Sequence, residues 1–471
     1  MDSNTFRRHA HQFVDWMADY MEQVENYPVK SQVQPGEIYA QIPAVLPDNG
    51  VSIDTIFQDF QDKILPGITH WQSPNYYAYF PANVSPPSIL AEMLMSTMGA
   101  QCMKWETSPA AAELEERVME WLRDAMGIPA TWDGVIQDTA STATLAALLC
   151  AREKHSNYQV NEKGFAGFAN YRVYCSTETH SSIEKGVKIA GLGKKNLVKI
   201  AVDDDLAMRP DLLQKAIEED LAAGYHPLCI VVAVGTTGTT AIDPLDVIGD
   251  IAEEHNIWLH VDAAYAGSAL LLPEFHWMIK GIEKADSFVF NPHKWLLTNF
   301  DCTAYFIKDT QALVNTFAIL PEYLKTRTDG QVNNYCDWGV PLGRRFRALK
   351  LWFVLRYYGL EGLQKKLRGH MKMAKWLEEQ VIKAPDFELL SPRSLNLVCF
   401  HYKPPHLSDM TTINSLNEKL LHQLNDSGKI FLTHTKIRGA YTLRIVIGQT
   451  TVQQQHIETA WGLLQETARK L

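Results

Sequence analysis

Apolar residues in the first positions of the chain recur with helical spacing. Phe6, Phe13, Trp16, Met17, Tyr20, Met21 and Val24 share one side of a helix predicted over residues 5–24. An extended, proline-punctuated stretch follows, and then a second amphipathic helix runs from Ser52, a predicted N-cap, through Ile53, Ile56, Phe57, Phe60 and Ile64. Such an arm cannot bury its stripe alone. It is expected to pack on the main body or on a second copy of the chain, and it favours a dimer.

From about residue 85 to 310 the pattern alternates. A helix with Pro109 near its start and Gly127 after its end leads to the strand "GVIQ" and the helix "STATLAALLCAREK". The strands "YRVYCS", "LVKIAV", "LCIVVAVG", "IWLHVD" and "SFVFNP" follow, the first four each trailed by a helical or small-residue stretch. Short apolar strands separated by helices predict an α/β fold with a mainly parallel central sheet covered on both faces. A polar segment at 321–339 interrupts the pattern, and a long helix begins near "RRFRALKLWFVLRYYG". Beyond it, "LNLVCFHY" and "YTLRIVIG" read as strands between helices, a small α+β domain. The expected division is an N-terminal helical arm at 1–85 packing on a partner subunit, a large domain at 86–360 and a C-terminal domain at 361–471. There is no internal repeat or low-complexity tract.

A length of 471 residues suits two or three domains, and 46% hydrophobic with 21% charged residues is ordinary for a globular chain. The balance of 44 basic against 54 acidic residues gives a formal charge of −10, which disfavours nucleic acid or an anionic membrane as partner. Seven cysteines without a C-x-x-C pair argue against a zinc ribbon or a disulfide framework and fit a reducing cytoplasm. The start lacks a signal-peptide core, and no apolar run approaches the roughly 20 residues of a membrane span.

In an open parallel sheet, ligands bind at the carboxyl ends of the strands. "QDTASTATLAALL" sets hydroxyl residues and a helix N-terminus after one strand, a phosphate cradle or simply a capped helix; it is neither a P-loop nor a dinucleotide fingerprint. His180 follows "YRVYCS", where an imidazole could stack on a flat ring or move a proton. Asp262 ends "IWLHVD" with only small residues after it, so something cationic must come from elsewhere to meet it. His260, two residues earlier on the same face, lacks a third ligand at metal-site spacing, so no metal is expected. Lys294 sits with His293 and Asn291 just past "SFVF", and "VGTTGTT" at 234–240 is another hydroxyl-rich strand exit. An amine for a Schiff base, a carboxylate for a ring nitrogen and N–H donors for a phosphate are together what pyridoxal phosphate needs.

"IWLHVDAAYAGSA", "ADSFVFNPHKWLLTNFDC" and "GRRFRALKLWFVLR" resemble signature stretches of the aromatic-L-amino-acid decarboxylases, among the group II pyridoxal-phosphate decarboxylases. The likeness runs from "SPNYYAYFP" in the arm into the helix after 344 and is thin beyond about 375. It implies the aminotransferase-like type I fold and a homodimer with shared active sites. It also implies that Lys294 carries the cofactor as a Schiff base, Asp262 pairs with the ring nitrogen, and His180 stacks over the ring. His293 would adjoin Lys294; Ala140, Ser141 and Asn291 would take the phosphate; Ala264 would pack under the ring, with Thr237 close to it.

The same resemblance places a catalytic tyrosine at Tyr323, in the polar segment, as the donor that returns a proton to Cα while the segment closes over the site. Relatives that make aldehydes carry phenylalanine in place of this tyrosine or asparagine in place of the histidine. Retention of Tyr323 and His180 points to simple decarboxylation. Trp71, Tyr79, Phe80, Pro81 and Phe300 would line an aromatic side-chain pocket, with Gly343 nearby. Gln101 and Met103 stand where animal relatives have an apolar residue and a phenylalanine; they would reach the neighbouring subunit's pocket and change its polarity. The competing readings are an aromatic acetaldehyde synthase, a decarboxylase of a non-aromatic amino acid, and a non-catalytic protein that binds a phosphate ligand.

Overall fold

The computed structural model describes residues 1–165, 170–319, 321–322, 326–328 and 330–471. These form two compact units, one of residues 82–369 and 391–395, the other of residues 1–81, 370–390 and 396–471.

The larger unit is built on a seven-stranded sheet. Its strands are β1 (Asp133–Gln137), β2 (Tyr171–Ser176), β3 (Leu197–Ile200), β4 (His226–Ala233), β5 (Trp258–Asp262), β6 (Ser287–Phe290) and β7 (Thr303–Ile307), in the spatial order β1-β7-β6-β5-β4-β2-β3. The pairs β6–β5, β5–β4, β4–β2 and β2–β3 are parallel, whereas β7 runs antiparallel to both its neighbours. The expected α/β architecture with a mainly parallel sheet is present. β5 and β6 are buried along their whole lengths, as continuous apolar runs between helical layers require.

Helix Ala140–His155 covers one face of this sheet. Its small residues Ala143, Ala146, Ala147 and Ala151 are buried among Val135, Val173, Val231 and Val289, so helix and sheet approach closely. Helix Pro109–Met126 opens on proline and closes on Gly127 at φ 73°, a left-handed stop that a β-carbon would strain.

In the other unit, helix Ser3–Gln23 is capped by Asp2, and Ser52 accepts the Thr55 N–H at the start of helix Ile53–Asp59. Phe13, Trp16, Phe57 and Phe60 pack ring against ring between these helices. A four-stranded antiparallel sheet, ordered β10-β11-β9-β8, consists of β8 (Phe387–Leu389), β9 (Leu397–Tyr402), β10 (Thr433–Ile437) and β11 (Ala440–Val446). Helices Met410–Asp426 and Gln454–Ala468 bury Leu420, Leu424, Trp461 and Leu464 against it. Among the described residues no helix is long and apolar enough to cross a membrane.

Candidate functional site

The carboxyl ends of β2, β4, β5 and β6 gather most of the polar residues singled out in the larger unit. Asp262 is 8% exposed at the end of β5, and its Oδ1 accepts the Ala264 N–H at 3.0 Å. The two-residue turn after it is tied to β6, because Asn291 donates its N–H to the Ala264 carbonyl at 2.9 Å. Lys294 lies one turn further on, in the short helix Pro292–Trp295. Burial lowers its pKa, and Asp262 opposes that shift. The chain therefore brings the amine and the carboxylate into mutual electrostatic reach from adjacent parallel strands.

His180 follows β2 and is exposed to solvent on one side. Its Nδ1 accepts the Ser182 N–H at 3.1 Å, with the Ser182 hydroxyl 2.8 Å away. Burial of the rest of the ring lowers its pKa; Asp262 pulls it back up, and Lys294 and Lys185 push it further down. The charges of Asp262 and Lys294 thus both reach this imidazole. Thr237 lies exposed after β4, in the turn where the Gly235 and Thr236 N–H groups bond the Ala241 carbonyl.

The N-terminus of helix Ala140–His155 is capped by Thr139, whose side chain accepts the Thr142 N–H. The N–H groups of Ala140 and Ser141, in the first turn, have no carbonyl inside the helix to bond. Thr303, the first residue of β7, links this terminus to the lysine-bearing turn: its hydroxyl reaches the Asp138 carbonyl at 3.0 Å and Asn291 Oδ1 at 2.8 Å. First-turn helix N–H groups next to an asparagine side chain offer a cradle for a dianionic phosphate. Amine, carboxylate, imidazole and cradle match the donor set of a pyridoxal phosphate site.

His293 is 4% exposed. Its Nδ1 accepts the Cys302 N–H at 3.0 Å, and burial, with Lys294 adding to it, drives its pKa down to about 3, so the ring is neutral. Phe300 stands against it at 4.7 Å between ring centroids and an interplanar angle of 62°. Gln101 Oε1 accepts the Arg344 N–H at 2.7 Å, and a β-carbon at Gly343 would lie 3.3 Å from the Gln101 amide nitrogen. The Met103 carbonyl accepts the Cys336 N–H at 2.9 Å. Gln101 and Gly343 are therefore neighbours.

Trp71, Tyr79, Phe80 and Pro81 belong to the other unit. Trp71 and Tyr79 stack at 5.9 Å and 14°, and the Arg444 guanidinium lies 5.6 Å over the Phe80 ring. Tyr323 lies outside the described residues.

His260 is wholly buried, its Nε2 3.1 Å from the Thr144 hydroxyl and its Nδ1 2.9 Å from that of Ser287. Among the described residues no group of three or more His, Cys, Asp or Glu is placed to hold a metal ion. Sequence reasoning passed over Ser182 and Thr303. The visible signal for Ser182 was a hydroxyl two residues after a histidine; for Thr303 it was a threonine opening an apolar run.

Residues 35–403 match the model of the pyridoxal-dependent decarboxylase conserved domain. The chain is 43% identical to phenylacetaldehyde synthase of Arabidopsis thaliana over all of this chain and 97% of that one. It is 42% identical to tyrosine decarboxylase 3 of Petroselinum crispum over all of this chain and 93% of that one. A crystal structure of Oryza sativa TDC with PLP and tryptamine superposes with a TM-score of 0.97 at 34% identity, covering 100% of this chain and 99% of that one.

Proposed function

The chain belongs to the pyridoxal-dependent decarboxylase family, and on that footing we propose that it decarboxylates an aromatic L-amino acid to the corresponding amine and carbon dioxide. One observation carries the reading: from the ends of adjacent strands, the charges of Asp262 and Lys294 converge on His180.

Pyridoxal phosphate, when bound, supplies the electron sink for the pair released as the bond from Cα to the carboxylate breaks. Lys294 would hold its carbonyl carbon and Asp262 would meet its ring nitrogen, with His180, Ala264, Thr237 and His293 about the ring; Ala140, Ser141 and Asn291 would hold the phosphate. Burial keeps more of the Lys294 amine in its neutral, nucleophilic form, and the Asp262 carboxylate favours a proton on any nitrogen it touches. Decarboxylation consumes one proton at Cα, and Tyr323 is its proposed donor.

An aromatic substrate would suit the Phe300 ring, which stands against His293 in the larger unit. Residues 70–83 hold no arginine or lysine to meet an acidic side chain. We further place the enzyme in the cytoplasm as a homodimer with shared sites, supported by the sequence's cysteine pattern and its apolar arm. A second reading, an aromatic acetaldehyde synthase, is favoured by the name of the 43% identical relative.

The test is turnover by the cofactor-loaded protein on a panel that includes tryptophan, tyrosine, phenylalanine, glutamate and histidine. Amine and carbon dioxide in equal amounts from an aromatic member are expected. Aldehyde, ammonia and peroxide as main products assign the second reading. Failure of borohydride to fix a chromophore on Lys294 overturns both.

A further inference from the structure

Phe300 is 59% exposed, so burial of its own ring does not hold it. Its two chain neighbours are held instead. Asn299 donates Nδ2 to Glu92 Oε2 at 3.2 Å, and Asp301 is gripped by Arg347 through two bonds, from Nε to Oδ1 and from Nη2 to Oδ2, both 3.0 Å. Glu92, on helix Pro86–Met98, also receives the Arg345 guanidinium and, at 3.1 Å, the Lys350 ammonium. Arg345 lies 3.8 Å from Asp301 as well.

Lys350 is the unusual member of this group, since it has 0% exposure. An ammonium shut off from water is costly unless a partner offsets it. Burial pulls its pKa down to about 8, against the opposing pull of Cys302 and Asp301. Glu92 therefore has two grips: Arg345 on the half-exposed side and Lys350 on the buried side. The buried ammonium and the Asn299 amide meet the same oxygen, Glu92 Oε2, whereas Arg345 takes Oε1.

We propose that Lys350 is a positioning residue for the aromatic substrate: by holding Glu92 inward it fixes Asn299 and, with the Arg347–Asp301 pair, the turn that presents Phe300 against His293. Of the three cations and two carboxylates in the cluster, removal of Lys350 leaves two of each, so the charge balance of the fold survives. Glu92 then follows Arg345 toward solvent and releases Asn299. The role of the turn rests on the proposed decarboxylation only in so far as Phe300 touches substrate.

The test is Lys350→Met, which fills the same volume without a charge, measured in the cofactor-loaded enzyme. Amide hydrogen exchange in a peptide covering 297–303 is expected to quicken about fivefold or more, while peptides from β4 and β5 keep their rates. KM for the preferred aromatic amino acid is expected to rise about tenfold with kcat within about twofold. In a Phe300→Ala background the same substitution adds nothing further to KM. Glu92→Gln attacks the grip from the other side and stands in if Lys350→Met does not fold. Unchanged exchange at 297–303, or an equal KM rise with and without Phe300, overturns the proposal. Absence of turnover in the wild type defeats the functional reading, and the exchange rates then decide the role of Lys350 alone.

Discussion

His180 Nδ1 accepts the backbone N–H of Ser182 at 3.1 Å. A backbone amide can only donate, so in the neutral ring the proton sits on Nε2, the nitrogen away from the helix that starts at Ser182. The Ser182 hydroxyl, 2.8 Å from the same Nδ1, adds a second donor to that lone pair. Ser182→Ala keeps the amide and removes the hydroxyl. With less competition for its lone pair, Nδ1 protonates more readily, so the His180 pKa rises. The acid limb of the kcat/KM profile is expected to move to higher pH, and Ser182→Thr to restore it. An unmoved limb would show that the hydroxyl has no hold on the ring.

Asp262→Ala removes a carboxylate whose field reaches both Lys294 and His180. Weaker retention of pyridoxal phosphate is expected, with kcat lower by about 10²–10³, or about 2.7–4 kcal/mol, the range for loss of one preorganised electrostatic partner. Absorbance of the bound cofactor during dialysis and steady-state rates measure the two effects. Near-native values in both would detach Asp262 from the cofactor.

Tyr323→Phe deletes the phenolic hydroxyl, and its proton with it, while keeping the ring. Amine formation is expected to fall and some aldehyde to emerge, detected together with peroxide in the same assay. Identical product ratios in mutant and wild type would remove Tyr323 from the protonation step.

Two buried histidines set a limit on acid stability. Burial lowers His260 to about 4 and His293 to about 3. Both folded-state values lie below the unfolded 6.5, so in the window from 6.5 down to those values the unfolded chain binds more protons. Their stability contribution is present above pH 6.5 and drains as pH falls, by up to about 1.4 kcal/mol per unit for each ring. Urea midpoints at pH 7.5, 6 and 5 should decline, and His260→Gln, which drops one titration, should flatten the slope. Parallel slopes for the two proteins would contradict the assignment.

Much of the larger unit was readable in the chain because its parallel strands are buried on both faces and appear as unbroken apolar runs bounded by helices. Asp262 and Lys294 stood out for the same reason, as charged residues at the ends of "IWLHV" and "SFVF". β7 escaped notice because it returns antiparallel to β6, with no long helix between them to mark a new strand. β8, three residues long, and β10, half-buried with polar alternation, carry too little apolar signal to register. Ser182 carries no sequence signal of its own; its hold on His180 Nδ1 depends on the local fold of the turn after β2. The Lys350–Glu92 pair joins residues 258 positions apart, which no local pattern reveals.

Thr303 faces Gln137 across β1 and sits one residue before Ala304, which faces Phe290 across β6. Side chains along a strand alternate sides, so inserting or deleting a single residue in 303–307 would turn the threonine to the opposite face and cut the tie between helix and amine. A change of length in this neighbourhood is therefore expected to be tolerated after Ile307, before helix Thr310–Phe317, and not inside the strand.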